Sequence, residues 1–253
     1  MPGLAKTNEL MLGTATVMIG PEADLFDLNP TEHSIGLVKN FSVTSDPTYT
    51  DLSQGVKNTL VYSVMTNNAI RASMETYEYT AQNIAYGLGL AGTFVKNIVT
   101  TTVAASVSTG LVLQVATGDG SDYSTGDVIM ILNDTEDDFI VRKVVSVATD
   151  TLTLNVAFAQ TVALGATVKL VSTIGAGSKT EQPFYSAKIA GKLANGEAIV
   201  MLIPKLRVVQ GFNLAFSSDD FANMPFEFTV YDLVNTDTHY SYFGGDTMHI
   251  VRT

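Results

Sequence analysis

The sequence predicts a mainly β protein: a β-sandwich or barrel core with one short α-helix, interrupted by a small all-β inserted domain. Three observations carry that prediction. Short runs alternating apolar and polar residues, bounded by Gly, Asn, Asp and Ser, recur along most of the 253 residues. A helical period with its own cap occurs at Ala81–Leu88. An apolar share of 46% with no cysteine requires a core held by packing alone, or by packing plus association.

In chain order, Thr14–Ile19 alternates around Ala15, Val17 and Ile19 and reads as the first strand. Ser34–Val43 is a second extended run and Leu60–Met65 a third. Between them lies SDPTYTDLSQGVKNT, polar and rich in turn formers, which reads as a long loop, functional or mobile. Ala69–Tyr79 is a fourth strand, with Ala72, Met74 and Thr76 on one face and Arg71, Ser73, Glu75 and Tyr77 on the other. Thr80 is an N-cap for the helix Ala81–Leu88, where Ile84 and Leu88 lie four apart and Gly87, Gly89 and Gly92 offer stops. A helix of under three turns is not stable alone in water, so it should dock on a sheet.

After the Thr/Val/Ala/Ser tract Ile98–Ser108, a second series of short strands begins: Leu111–Ala116, Asp127–Leu132, Phe139–Val147, Thr151–Leu154 and Thr167–Val171. Ser172–Thr180 reads as a linker back. These signals divide the chain into a core, residues 1–106 plus 175–253, and an inserted barrel or sandwich at 107–174. The returning half holds three amphipathic strand patterns within Phe184–Val234. The last is a hairpin: Phe212, Leu214 and Phe216 alternate, Ser217–Met224 turns, and Phe226, Phe228 and Val230 alternate again. A final hairpin is expected over Thr238–Val251, turning at Gly244–Asp246.

Twenty-five acidic against 14 basic residues leave a net charge of −11, a poor match to a protein that grips nucleic acid tightly. Residues 107–172 carry eight acidic groups against Arg142, Lys143 and Lys169, so the excess is shared by both domains. The N-terminus lacks the pattern of a signal peptide, and no apolar run reaches the length of a membrane span. A soluble protein assembled in the cytoplasm is expected.

No catalytic constellation emerges: there is no GxSxG elbow, no phosphate-binding loop and no GxGxxG between strand and helix. Catalytic, cofactor and metal residues are therefore expected to be none. Asp119, Asp122 and Asp127 in GDGSDYSTGD lack calcium-loop order and read as a solvated turn. Asp134, Glu136, Asp137 and Asp138 read as an acidic hairpin tip. His33, His239 and His249 have no metal spacing, although the last two would face each other across the final hairpin.

The wording of Gly211–Leu233, GFNLAFSSDDFANMPFEFTVYDL, resembles the C-terminal hairpin of the tail tube (major tail) proteins of long-tailed bacteriophages. Gly36–Ser45, Asp51–Val61, Ala69–Leu90 and Ala187–Pro204 resemble further parts of that family's pattern, in the family's order. The resemblance covers roughly 34–92 and 184–234 and leaves the insertion without a counterpart. It implies a tail-tube-type core and a structural virion protein of the phage tail. Its six-membered rings would stack into a tube, the conduit for DNA ejection. It implies homo-oligomeric partners, the tape measure, baseplate or tip proteins, a sheath where one exists, and transient non-specific passage of DNA, with no cofactor and no membrane. On the same grounds the inter-ring stacking loop would comprise Tyr49, Asp51, Leu52, Gln54, Val56 and Tyr62. Arg71, Glu75, Glu227 and Thr229 would face the lumen. The competing readings are a carbohydrate- or host-surface-binding β-protein, suggested by the insertion and the tyrosines, and, ranked lower, an enzyme on a β scaffold.

Overall fold

A computed structural model describes residues 11–56, 58–90, 99–133, 138–175, 177, 181–193, 195–213 and 222–252, with side chains from Ala15 onward. The protein is mainly β and divides into two compact units, Met1–Gly92 with Ala176–Thr253, and Thr93–Gly175.

The first unit opens with β1 (Met11–Pro21), a 3-10 turn (Glu22–Asp24) and the single-turn helix α1 (Pro30–His33). Two long strands follow, β2 (Val38–Gln54) and β3 (Thr59–Thr76), and then α2 (Ala81–Gly87). The second unit holds β4 (Thr100–Thr102), β5 (Gly110–Gln114), β6 (Val128–Leu132), β7 (Phe139–Ala148), β8 (Thr151–Phe158) and β9 (Thr167–Val171). The chain re-enters the first unit with β10 (Tyr185–Leu193), β11 (Ala198–Gln210), β12 (Met224–Val230), the short helix α3 (Tyr240–Phe243) and β13 (His249–Arg252).

The first unit is an antiparallel sheet in the order β1-β10-β11-β12-β3-β2, with β13 beside the first half of β11. Alternation explains its core. Ile70, Ala72, Met74 and Thr76 of β3 point inward, as do Met224, Phe226, Phe228 and Val230 of β12 and Leu206 and Val208 of β11. Phe226 is fully buried and stacks on Phe228, a burial of about 1.5–3 kcal/mol per side chain. The first half of β11, AIVMLIP, is continuously apolar because both of its faces are covered. Ile203 joins the main core, while Leu202 packs with Met18, Leu25, Leu28, Leu233 and Phe243 on the other side.

The segment before β2 closes one end of the sheet. Ile35 N–H donates to the Val17 carbonyl (3.1 Å) and Tyr77 N–H to the Leu37 carbonyl (3.1 Å), tying β1 to the end of β3. The expected helix lies where Thr80 caps it, its Oγ1 accepting from Asn83 N–H at 3.1 Å. Asn83 is buried and donates to the carbonyls of Ile35 (2.9 Å) and Glu78 (2.8 Å), pinning α2 to the closure. Tyr86 donates to the Ile19 carbonyl at 3.1 Å, and burial pushes its phenol up to about 12. Gly87 is required by a close approach: a Cβ there would lie 2.3 Å from the Gly211 carbonyl oxygen.

The second unit is an antiparallel sheet in the order β4-β9-β6-β7-β8-β5. A bridge between Val103 and Val115, with Ala104 N–H donating to Gln114 and Ala116 N–H to Thr102, curls it round on itself. Its core gathers Leu113, Ile129, Ile131, Val144, Leu152, Leu154 and Val168. The unit begins ahead of residue 107 because Thr100–Thr102, read only as a Thr-rich tract, is hydrogen-bonded to β9.

Three sequence expectations differ from the fold. The polar segment from Thr44 is strand, not loop, and the two strands expected at Leu60–Met65 and Ala69–Tyr79 are one. The expected pairing of Phe212–Phe216 with Phe226–Val230 is replaced by β11 with β12, in register Leu206 with Val230 and Val208 with Phe228. Residues 214–221 lie outside the described ones, and Gly211–Asn213 are not strand. The expected hairpin Thr238–Val251 contains α3, stopped by Gly244 at φ +64°, and β13 pairs with β11 instead. Among the described residues no helix is long and apolar enough to cross a membrane.

Candidate functional site: a projecting ribbon and a polar sheet face

Beyond Ser45 and Ala69, β2 and β3 run on as a two-stranded ribbon, with no third strand among the described residues. The register passes through Tyr49 with Met65, Thr50 with Val64, Asp51 with Ser63 and Leu52 with Tyr62, ending at Gln54 with Thr59. Gly55, at φ +87°, makes the turn and accepts from Asn58 N–H at 2.9 Å. Ser63 donates to Asp51 at 2.6 Å and Ser45 to Asn68 at 2.7 Å.

All six residues expected in the stacking loop lie on this ribbon, with Val56 at its turn. Leu52, Tyr62 and Val64 share one face, and Tyr49 and Met65 the other. Every one of these five is exposed, Leu52 at 61% and Tyr62 at 63%. Exposure on both faces is why the stretch lacks the alternation of a half-buried strand. A ribbon of this kind is only marginally stable in water and leaves two open backbone edges, so it gains by acquiring a partner surface.

The four residues expected to face a lumen share the solvent side of adjacent strands. On β3 and β12, Arg71 stands opposite Thr229, Ser73 opposite Glu227 and Glu75 opposite Pro225. The row extends to Arg207, opposite Thr229 on β11, and to Thr44, opposite Arg71 on β2. Lys39 lies opposite Glu75 and its ammonium sits 4.7 Å over the Tyr77 ring. The face therefore carries mixed charge rather than a uniformly negative wall.

Sequence reasoning passed over a cluster at one end of this face. The Arg207 guanidinium lies 3.9 Å from the Phe184 ring centroid and 5.9 Å from that of Tyr231, and the two rings meet edge to face at 5.4 Å. Lys205 also lies over Phe184, at 4.5 Å, and forms a largely buried ion pair with Asp237 at 2.8 Å. The hydrogen bond from Lys205 is the main reason the Asp237 carboxyl titrates below its ordinary value, helped by Val234 N–H and opposed by desolvation. Burial raises Glu22 nearby, against the pull of Lys205 and His239. The sequence signal was K-x-R set among buried Pro204, Leu206 and Val208. Phe184 lies too far along the chain to be paired with it by periodicity.

The other sequence candidates are structural. Asp119 accepts from Thr101, Asp127 caps Ser124 N–H at 2.7 Å, and Asp150 accepts from Gly118 and Gly120 N–H. These carboxylates hold the turn rather than converge. Asp134, Glu136 and Asp137 lie outside the described residues, and Asp138 holds Asn133 and Gln160. His239 is buried against the Glu22 carbonyl at 2.7 Å, His249 pairs with Asp246 and His33 accepts from Asn29 N–H. Among the described residues no group of three or more His, Asp or Glu is placed to hold a metal ion. Comparison with protein-family models and with curated proteins found no match.

Proposed function

We propose that this chain is the repeating subunit of a phage tail tube, assembling into six-membered rings that stack to form a conduit for DNA. The observation that carries the reading is the ribbon beyond Ser45 and Ala69, which presents large apolar side chains on both faces. Such a ribbon is poorly suited to solitary life in water and well suited to ordering against another copy. The long outer edge of β2 adds support, because ring closure supplies hydrogen-bond partners that a lone sheet leaves to chance. On this reading the ribbon makes contacts between rings, and the Arg71–Thr229 face lines the lumen. Tape measure, tip or baseplate proteins would then be the partners at the tube's ends.

Negative-stain electron microscopy of the purified full chain tests the reading. Rings or tubes are expected at high protein concentration. A species that stays monomeric there, including beside tail initiation components, overturns it.

A further inference from the structure

Among the described residues the arginines of the polar face have no acidic partner. Arg71 and Arg207 flank Thr229 on three neighbouring strands, and neither forms an ion pair with a described carboxylate. Among the described residues the carboxylates of this face are Asp46, Glu75, Glu227 and Asp237, and the last is committed to Lys205. Arg207 is the more demanding case. Its guanidinium is held against Phe184, and its Nε is buried without an acceptor. A guanidinium in that setting is pre-oriented, and its outer nitrogens present a planar fork without further loss of side-chain freedom.

We propose that the Arg71–Thr229–Arg207 row binds the phosphodiester backbone of a nucleic acid strand. Arginine forks take phosphate oxygens bidentately, and a threonine hydroxyl between them donates a third hydrogen bond. Two interstrand steps separate the arginines, roughly 10 Å at the usual strand spacing. At 3.4 Å of duplex axis per nucleotide of each strand, that spans about three nucleotides. Glu227 and Asp46, one step away on the same face, confine the attraction to the row. The contact is accordingly weak and salt-sensitive, which lets a strand touch the wall without being held. This inference rests on the tube reading for its cellular setting but not for its chemistry.

The test is fluorescence anisotropy of the full-length protein with a labelled single-stranded oligonucleotide, titrated from low to physiological salt. Each phosphate neutralised on a single strand contributes about 0.7 to the slope of log affinity against log salt. Arg71→Gln and Arg207→Gln are each expected to lower the slope by about 0.7 per engaged subunit, and the double variant by about twice that. Arg207→Lys keeps the charge and should keep most of the slope. Arg252→Gln, at a distant ion pair with Glu197, should leave it unchanged. Equal slopes for wild type and the double variant, or no binding at low salt, overturn the proposal. So does competition by an acidic polypeptide as effective as that by unlabelled DNA, which would make the row a carboxylate site. Melting temperatures verify folding, and Arg71→Gln, at an exposed position, carries the test if Arg207→Gln fails to fold. Electron microscopy separates the two readings: rings without DNA binding refute only this one, and DNA binding without rings refutes only the tube.

Discussion

Replacing Leu52 and Tyr62 together by serine should uncouple assembly from folding. The two residues face each other across the ribbon, and each keeps about three-fifths of its surface in water, 61% and 63%. Fully burying such a side chain is worth about 1.5–3 kcal/mol, so the exposed share leaves about 1–2 kcal/mol each for a contact to recover. Side-chain ordering takes back about 0.5–1.5 kcal/mol each, so the pair contributes about 1–2 kcal/mol per subunit contact, or roughly 5- to 30-fold in association constant. Within the monomer the same substitutions remove only one cross-strand pair, at about 0.2–1 kcal/mol. Sedimentation velocity across a concentration series should therefore show assembly displaced to at least about 5-fold higher protein concentration. The melting temperature of the unassembled protein should move by only a few degrees. Unchanged assembly would refute the ribbon's role as a contact. A collapse in monomer stability would refute the claim that these side chains are free.

Two further predictions concern backbone strain and a titrating ion pair. Gly36→Ala should destabilise the protein by about 2–4 kcal/mol in urea unfolding. Gly36 sits at φ +86° and a Cβ would fall on the Glu78 carboxylate, which accepts from Leu37 N–H at 3.0 Å. Gly55→Ala, at φ +87° with open space around it, should cost only the backbone strain of about 1–2 kcal/mol, and equal effects at the two sites would sink the argument. Asp237, whose folded value is lowered by Lys205, adds stability that is present above its unfolded value and lost as pH falls through the folded one. Glu22, whose folded value is raised, works in the opposite sense: it adds stability below its unfolded value that is lost as pH rises through the folded one. Wild type should therefore lose melting temperature below about pH 4, and Asp237→Asn should lose less of it there; parallel acid slopes would refute the assignment.

Where one face of an element is buried, the pattern of residues was a sufficient guide. The alternation of Ala72, Met74 and Thr76 placed Arg71 and Glu75 on the solvent side of β3, and Phe226 and Phe228 did the same for Glu227 and Thr229. Thr80 announced α2 through its own side chain, a local interaction that needs no tertiary information. Most strands of the second unit were legible for the same reason, since Ile129, Ile131 and Ile140 face a core at period two. β4 escaped notice because three threonines carry no alternation, and its pairing with β9 lies across more than sixty residues of chain.

The β2 arm of the ribbon failed to read as strand because neither of its faces is buried, so SDPTYTDLSQ shows mostly turn formers and hydroxyls. β11 carries no single alternation, because its first half is covered on both sides and its second half on one. The last segment became helix and edge strand because Phe243 packs into the second small core and β11 offers an open flank. By itself, then, the sequence determined a β core with one capped helix, an inserted second unit, and which side chains of β3 and β12 meet water. Only the tertiary structure decided that Arg207 joins Arg71 in one row, that Phe184 holds its guanidinium, and that the segment from Asp46 to Asn68 projects as a ribbon. The physical reason is range: alternation and capping act between neighbours along the chain, whereas strand order, edge exposure and the pairing of distant charges exist only once the sheet has formed.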